Sequence, residues 1–204
     1  MTGALALKAF LSFLFIIDPV GLVPVFLSLA GARPPAEQRR IARKAVLVAA
    51  GLIAAFAVAG AWLLTHLSIS MDAFRVAGGI LLFLIAVDMV LAQHERETEE
   101  EERESRARQD ISVFPLAIPM ISGPGTLATT MILATEAGGA GLAIVLAMGA
   151  VVLALAYAAL RLAAPIGGVL GQTGVNVVTR VLGVLLAALA VQYVADGVKG
   201  LLSG

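Results

Sequence analysis

Asp18 is an acid set inside an apolar run, and Pro19, Gly21 and Pro24 follow it. In hydrocarbon every backbone polar group needs a partner, so such a break survives only if buried in protein or facing a watery cavity. Asp18 and Pro19 fit the N-cap and first residue of a half-helix. Pro24 cannot donate to the carbonyl of Val20, and Gly21 loosens the chain further. A second break, Ser122-Gly123-Pro124-Gly125-Thr126, sits inside a later apolar run. There Gly123 brings no carboxylate, which leaves the N–H groups around Gly125 and Thr126 open to an anion, with the Ser122 and Thr126 hydroxyls as further donors. The two breaks together suit a zwitterion, its ammonium at Asp18 and its carboxylate near Gly125. The candidate binding set is therefore Asp18, Pro19, Gly21, Pro24, Ser122, Gly123, Pro124, Gly125 and Thr126. A plainer role remains open, in which Asp18 only caps its half-helix.

Few other residues could do chemistry. Arg75 and Arg180 lie about one turn before Gly78-Gly79 and Gly183. They are either snorkelling interfacial side chains or gate residues that pair with acids in alternate states. Asp88 is either interfacial or a proton carrier. His66 and His94 stand at the ends of apolar runs and read as solvated. No cluster has metal-ligand spacing, so no metal site is expected. The chain has no cysteine, which removes disulfides, thiolate metal sites and dithiol redox chemistry. A hydrolase would need a nucleophile beside a base, and no Ser–His pair is suggested.

The elements that must carry these residues are membrane spans. Of 204 residues 60% are hydrophobic, and the mean hydropathy is +0.98, against about 45–50% apolar in soluble domains. A span needs about 20 apolar residues. Six stretches qualify, at 4–30, 44–66, 73–92, 111–135, 140–162 and 176–198. Residues 1–17 show no convincing cleavage site and read as part of the first span. Residues 93–110 form a charged linker with Glu99/Arg103, Glu102/Arg106 and Glu104/Arg108 at helical i,i+4 spacing. A net charge of zero gives no basic surface for nucleic acid. Small residues at four-spacing, Ala45/Ala49 and Gly51/Ala55 in the second span and Ala143/Ala147 in the fifth, predict close helix packing.

Orientation follows from the cations. Lys8, Arg75 and Lys199 fall on the side of the termini, and the other eleven Lys and Arg fall opposite. By the positive-inside rule, loops 32–43 and 93–110 are expected to be cytoplasmic and both termini outside.

Shifted by 105 residues, the chain matches itself without gaps: Leu11 with Leu116, Ile16 with Ile121, Pro19 with Pro124, Arg75 with Arg180 and Gly78 with Gly183. Each unit holds three spans, so the second is inverted relative to the first. The expected fold class is an all-α membrane protein of six transmembrane helices in a 3+3 inverted repeat, with broken helices in spans 1 and 4. Residues 1–92 form one repeat, 93–110 the cytoplasmic linker and 111–204 the other. Inverted repeats with matched broken helices are a feature of secondary transporters.

FLSFLFIIDPVGLVPVFLSLAG (10–31) and PLAIPMISGPGTLATTMIL (115–133) resemble the "DP-x-G-x-x-P" first span and the "GPG" fourth span of the MarC family. That family is also described as SnatA-type neutral amino acid transporters, within a broader LysE-like exporter group. The resemblance implies an inner-membrane transporter of small neutral amino acids such as alanine or glycine, coupled to H+ or Na+ and holding no other cofactor. A homo-oligomer is compatible with this size, since so short a chain has little scaffold against which to move one repeat. Three other readings compete. One is a carrier of another small solute or a metal ion, which would want more intramembrane acids than Asp18 and Asp88. A membrane enzyme lacks its catalytic groups. A structural membrane protein leaves the two matched breaks unexplained.

Overall fold

The computed structural model describes residues 2–91 and 110–203. The expected linker 93–110, apart from Asp110, and His94 lie outside the described residues. The elements are α1 (Thr2–Ile17), α2 (Leu22–Ala30), α3 (Pro35–His66), α4 (Met71–Leu91), α5 (Ser112–Ile121), α6 (Pro124–Arg161) and α7 (Ala163–Ser203). No strand occurs among the described residues. Four of these helices, α3, α4, α6 and α7, are each long and apolar enough to cross a membrane, and α1 with α2, bent by 44° at their break, are so as a pair, which gives four to five apolar spans where the sequence predicted six. Leu47, Val58, Trp62, Leu84, Val177 and Val184 all face outward and exposed, as a lipid-facing surface requires.

Local chemistry sets the ends. Pro34 and Pro35 stop α2 from continuing, yet Pro35 then begins α3, because proline is well placed in a first helical turn. Gln38 reaches back to the carbonyls of Gly31 (3.2 Å) and Arg33 (2.9 Å), which the turn leaves without partners. The helix of the second span, α3, thus starts well before the expected residue 44, and most of the expected loop 32–43 is helical. Glu37, Gln38, Arg39 and Arg40 are good helix formers; apolar composition marks where lipid ends, not where the helix does. Ser70 caps α4 by accepting from the amide of Ala73 (3.1 Å).

α5 is irregular. Phe114 and Ile118 are extended (φ −127 and −128), as residues before proline prefer, and the Phe114–Pro115 and Ile118–Pro119 bonds are cis. Within α6 the backbone breaks at Gly138 (φ 64, ψ −176), and within α7 at Gly171 (φ 59, ψ 178). Only glycine tolerates that region. Gly138→Ala and Gly171→Ala are each expected to cost on the order of 1–3 kcal/mol from backbone strain alone, since a Cβ at either position meets nothing within 4 Å. Reversible unfolding in mixed micelles would measure it.

The half-helix that begins at Pro124 runs through the middle of the molecule, and Ala128, Thr129, Thr130, Met131, Ile132 and Leu133 are all buried. Met131 fills the space over Gly60 of α3, while Ala128 and Ile132 lie on Gly78 of α4. α4 and α7 run antiparallel in close contact. A Cβ on Gly79 would meet the Ala190 carbonyl oxygen at 2.8 Å, one on Gly183 the Met89 side chain at 2.8 Å, and one on Gly197 the Asp72 carbonyl oxygen at 2.7 Å. Ala45 and Ala49 are buried as expected, but Gly51, Ala55, Ala143 and Ala147 face outward. The buried stripe of the fifth segment is Gly141, Val145 and Gly149. On a helix that is apolar all round, several small-residue stripes exist, and spacing cannot choose between them.

Candidate functional site

At the first break, Asp18 takes a left-handed conformation (φ 41), which aspartate tolerates better than most residues. Its carbonyl accepts from the amide of Leu22 (3.1 Å), and its Oδ1 accepts from the amide of Gly21 (3.0 Å). The following turn is thereby capped at its start. Pro24 cannot serve the carbonyl of Val20, and the amide of Val23 does so instead (3.1 Å). The other carboxylate oxygen, Oδ2, accepts from the Thr179 hydroxyl of α7 (2.7 Å). Asp18 is only 7% exposed. A side chain at Gly21 would collide with this carboxylate and approach the Thr179 hydroxyl, so glycine is required for the carboxylate to lie over the turn.

At the second break the polar groups are used differently. Ser122 donates its hydroxyl to the Ala117 carbonyl (2.7 Å) and Thr126 donates to that of Ile121 (3.0 Å). Thr130 donates to Thr126 (2.7 Å). In this conformation the Ser122 and Thr126 hydroxyls therefore offer lone pairs to a ligand, not the donors expected from the sequence. Gly123 is extended, and no side chain caps the helix that starts at Pro124. Its amino-terminal N–H groups are the donors of the break. Gly125 is in contact with Ile16, just before Asp18, and with Leu82 and Ile85 of α4. The two breaks, remote in sequence, thus meet across an apolar seam. One turn further on, the hydroxyl of Thr129 is buried with no hydrogen-bond partner. An unmade bond of this kind costs about 1–3 kcal/mol, which marks the place as one where a polar guest is favoured.

A second polar cluster closes one end of the molecule. Glu136, on the last turn before Gly138, accepts from Lys8 of α1 (2.6 Å) and pairs with Arg75 of α4 (3.2 Å). Arg75 also pairs with Asp72 (2.9 Å). The Lys8 ammonium stands 5.7 Å from the centre of the Tyr193 ring of α7, within cation–π range. Four helices meet here through side chains.

The protein-family model described as MarC family integral membrane protein matches residues 4–202. The chain belongs to the MarC family. It is 38% identical over 201 residues to a UPF0056 membrane protein of Methanocaldococcus jannaschii, covering 95% of this chain and 96% of that one. It is 38% identical over 205 residues to the UPF0056 membrane protein YvbG of Bacillus subtilis, covering 98% and 97%. With the UPF0056 membrane protein YhcE of Escherichia coli the identity is 32% over 200 residues, covering 97% and 93%. No solved structure matches the chain. It is an integral, multi-pass membrane protein.

In this MarC-family chain the other expected residues are dispersed. Arg180 is exposed beside Thr179, and Asp88 is half-buried towards the end of α4. Neither makes an ion pair among the described residues. His66 donates from Nδ1 to the Trp62 carbonyl (2.9 Å). Three residues escaped the sequence reading: Thr179, Thr129 and Glu136. Thr129 had a signal, lying one turn beyond Gly125 on the half-helix. Glu136 had one too, as an acid within an apolar stretch. Thr179 had none beyond its place next to Arg180.

Glu136 makes a direct prediction. Glu136→Gln would leave Lys8 and Arg75 facing a neutral partner, and a loss of about 1–3 kcal/mol is expected. In a double-mutant cycle, Arg75→Gln with Glu136→Gln should show a coupling of at least about 0.5 kcal/mol. Additive effects on thermal melting would show that the pair does not hold the helices together.

Proposed function

We propose that this protein is a secondary transporter of small neutral amino acids that works by alternating access and is not a catalyst. The observation that carries the reading is the meeting of two helix breaks inside the apolar core. One presents a buried carboxylate and the other an uncapped helix N-terminus with an orphan hydroxyl at Thr129. A free amino acid carries complementary groups, an ammonium for Asp18 and a carboxylate for the N–H groups near Gly125.

A six-span inverted repeat supports the same reading. Dividing α6 at Gly138 and α7 at Gly171 separates a broken fourth span, a fifth and a sixth. The close contact of Gly183 with Met89 is, under the 105-residue shift, the image of a contact between Gly78 and Val194. In the structure it is Gly79, one residue away, that packs on Val194, where an added Cβ would come within 2.7 Å of the Val194 side chain. An antiparallel pair that maps onto itself in this way is what two inverted units would make. Lys8 and Arg75 share Glu136 at one end, and Lys44 pairs with Asp110 at the other. On the positive-inside rule the first end is extracytoplasmic. The ion-pair cluster there would serve as the outer gate, which must open for substrate exchange, with H+ or Na+ as the coupling ion. The membrane concerned is the inner membrane.

The test is counterflow of labelled alanine and glycine into liposomes holding the purified protein. Saturable exchange well above protein-free liposomes is expected. No exchange across a broad panel of amino acids, from folded protein, would move the substrate to another solute class.

A further inference from the structure

The amino-terminal part of α3 carries a surface groove lined by Arg40, Arg43, Lys44, Leu47 and Val48. Its composition changes along its length. The three cations sit on one turn, and the apolar part of the helix begins immediately after them at Ala45. Arg40, Arg43, Lys44 and Leu47 are exposed. Lys44 pairs with Asp110. Lys44 and Ser112 hold the Asp110 carboxyl down to about 2, so it is ionised at neutral pH and offsets the Lys44 charge. Arg40 and Arg43 have no acidic partner among the described residues. Among the described residues, two guanidiniums therefore stand unneutralised at the level where polar helix gives way to lipid-facing helix, with an apolar floor running on from them along Leu47 and Val48.

The geometry points to an anionic phospholipid site: the headgroup phosphate between Arg40 and Arg43, with its acyl chain laid along Leu47 and Val48. Arginine is the side chain best suited to a phosphate, which it grips through two parallel N–H bonds. Each cation near an anionic leaflet strengthens the attraction several-fold. A free phosphate would use the cations but not the apolar floor, whereas a phospholipid uses both. The ligand is therefore the lipid, and the site is separate from the helix breaks and from any transported solute.

Native mass spectrometry of the full-length protein in a neutral detergent, titrated with phosphatidylglycerol or phosphatidylcholine, tests this. Wild type is expected to retain phosphatidylglycerol at least tenfold more tightly than phosphatidylcholine. Arg40→Gln/Arg43→Gln should lose that preference, while Arg33→Gln/Arg39→Gln, outside the groove, should keep it. Equal retention of the two lipids by wild type, or an unchanged preference in Arg40→Gln/Arg43→Gln, overturns the site. Displacement of the lipid by equimolar inorganic phosphate would reassign the groove to a free anion and overturn it as well. A photoreactive phosphatidylglycerol needs no variant: its label should fall on the α3 segment from Arg40 to Val48, and labelling elsewhere counts against the proposal.

Discussion

Gly79→Leu is expected to leave almost no folded protein in the membrane. A Cβ at this position would lie 2.8 Å from the Ala190 carbonyl oxygen and 3.0 Å from the Val194 amide nitrogen. Both are backbone atoms of a packed helix and cannot swing aside as a side chain can. The two helices would have to part along their length, which removes close contact at Gly183 and Gly197 too. Overpacking at one site typically costs about 1–3 kcal/mol, and loss of the whole seam costs more, against a total stability of about 5–15 kcal/mol. In a membrane this matters doubly, because van der Waals contact between closely approaching helices replaces the hydrophobic drive available in water. Gly197→Leu should fail for the same reason, its Cβ meeting the Asp72 carbonyl oxygen and the Val76 amide. Gly51→Ala is the control: it is exposed with nothing within 4 Å, and should be neutral or stabilising by up to about 1 kcal/mol. Fluorescence-detected size exclusion of the three variants reads this directly. A monodisperse Gly79→Leu peak at wild-type yield would mean that the α4–α7 seam is not the packing core.

On the proposed function, Asp18→Asn should keep the fold and lose transport. Its amide oxygen can still accept from the Gly21 amide, and asparagine caps helices as well as aspartate does. Its NH2 group can donate to the Thr179 hydroxyl, which need only rotate to accept. What disappears is the charge. If that charge holds a substrate ammonium in a largely dry site, its loss should lower alanine counterflow by roughly ten- to a hundredfold, since a hydrogen bond to a charged group contributes about 1.5–3 kcal/mol. Asp18→Ala differs in kind. It strands the Gly21 amide and the Thr179 hydroxyl, and a loss of about 1–3 kcal/mol of stability is expected. Melting curves and counterflow measured on both variants separate the two roles. Wild-type exchange in Asp18→Asn would reduce Asp18 to a cap that also ties α2 to α7.

The helical membrane class was legible because it rests on composition, and composition is local. The same holds for the breaks. Gly123-Pro124 starts a helix as expected, whereas after Asp18-Pro19 a turn intervenes and α2 begins only at Leu22, with Gly21 at its N-cap, because Asp18 takes a left-handed conformation and its carboxylate is held by the Gly21 amide and the Thr179 hydroxyl. Family membership was legible from the same two stretches. Element boundaries were less so. α3 extends into a polar stretch because Glu, Gln and Arg are good helix formers, whatever the solvent beside them.

What only the tertiary structure decided is which groups meet. No periodicity pairs Asp18 with Thr179, 161 residues away, or brings Lys8 and Arg75 to one carboxylate at Glu136. None shows that the hydroxyls of Ser122 and Thr126 are committed to carbonyls of their own chain while that of Thr129 is left over. A helix that is apolar on every face carries no amphipathic signal to say which side is inward. In water the polar face would reveal the core; in lipid both faces are greasy, and the choice falls to steric fit. Gly79, Gly183 and Gly197 face a neighbouring backbone whereas Gly51 faces outward, a distinction that exists only once the helices are packed.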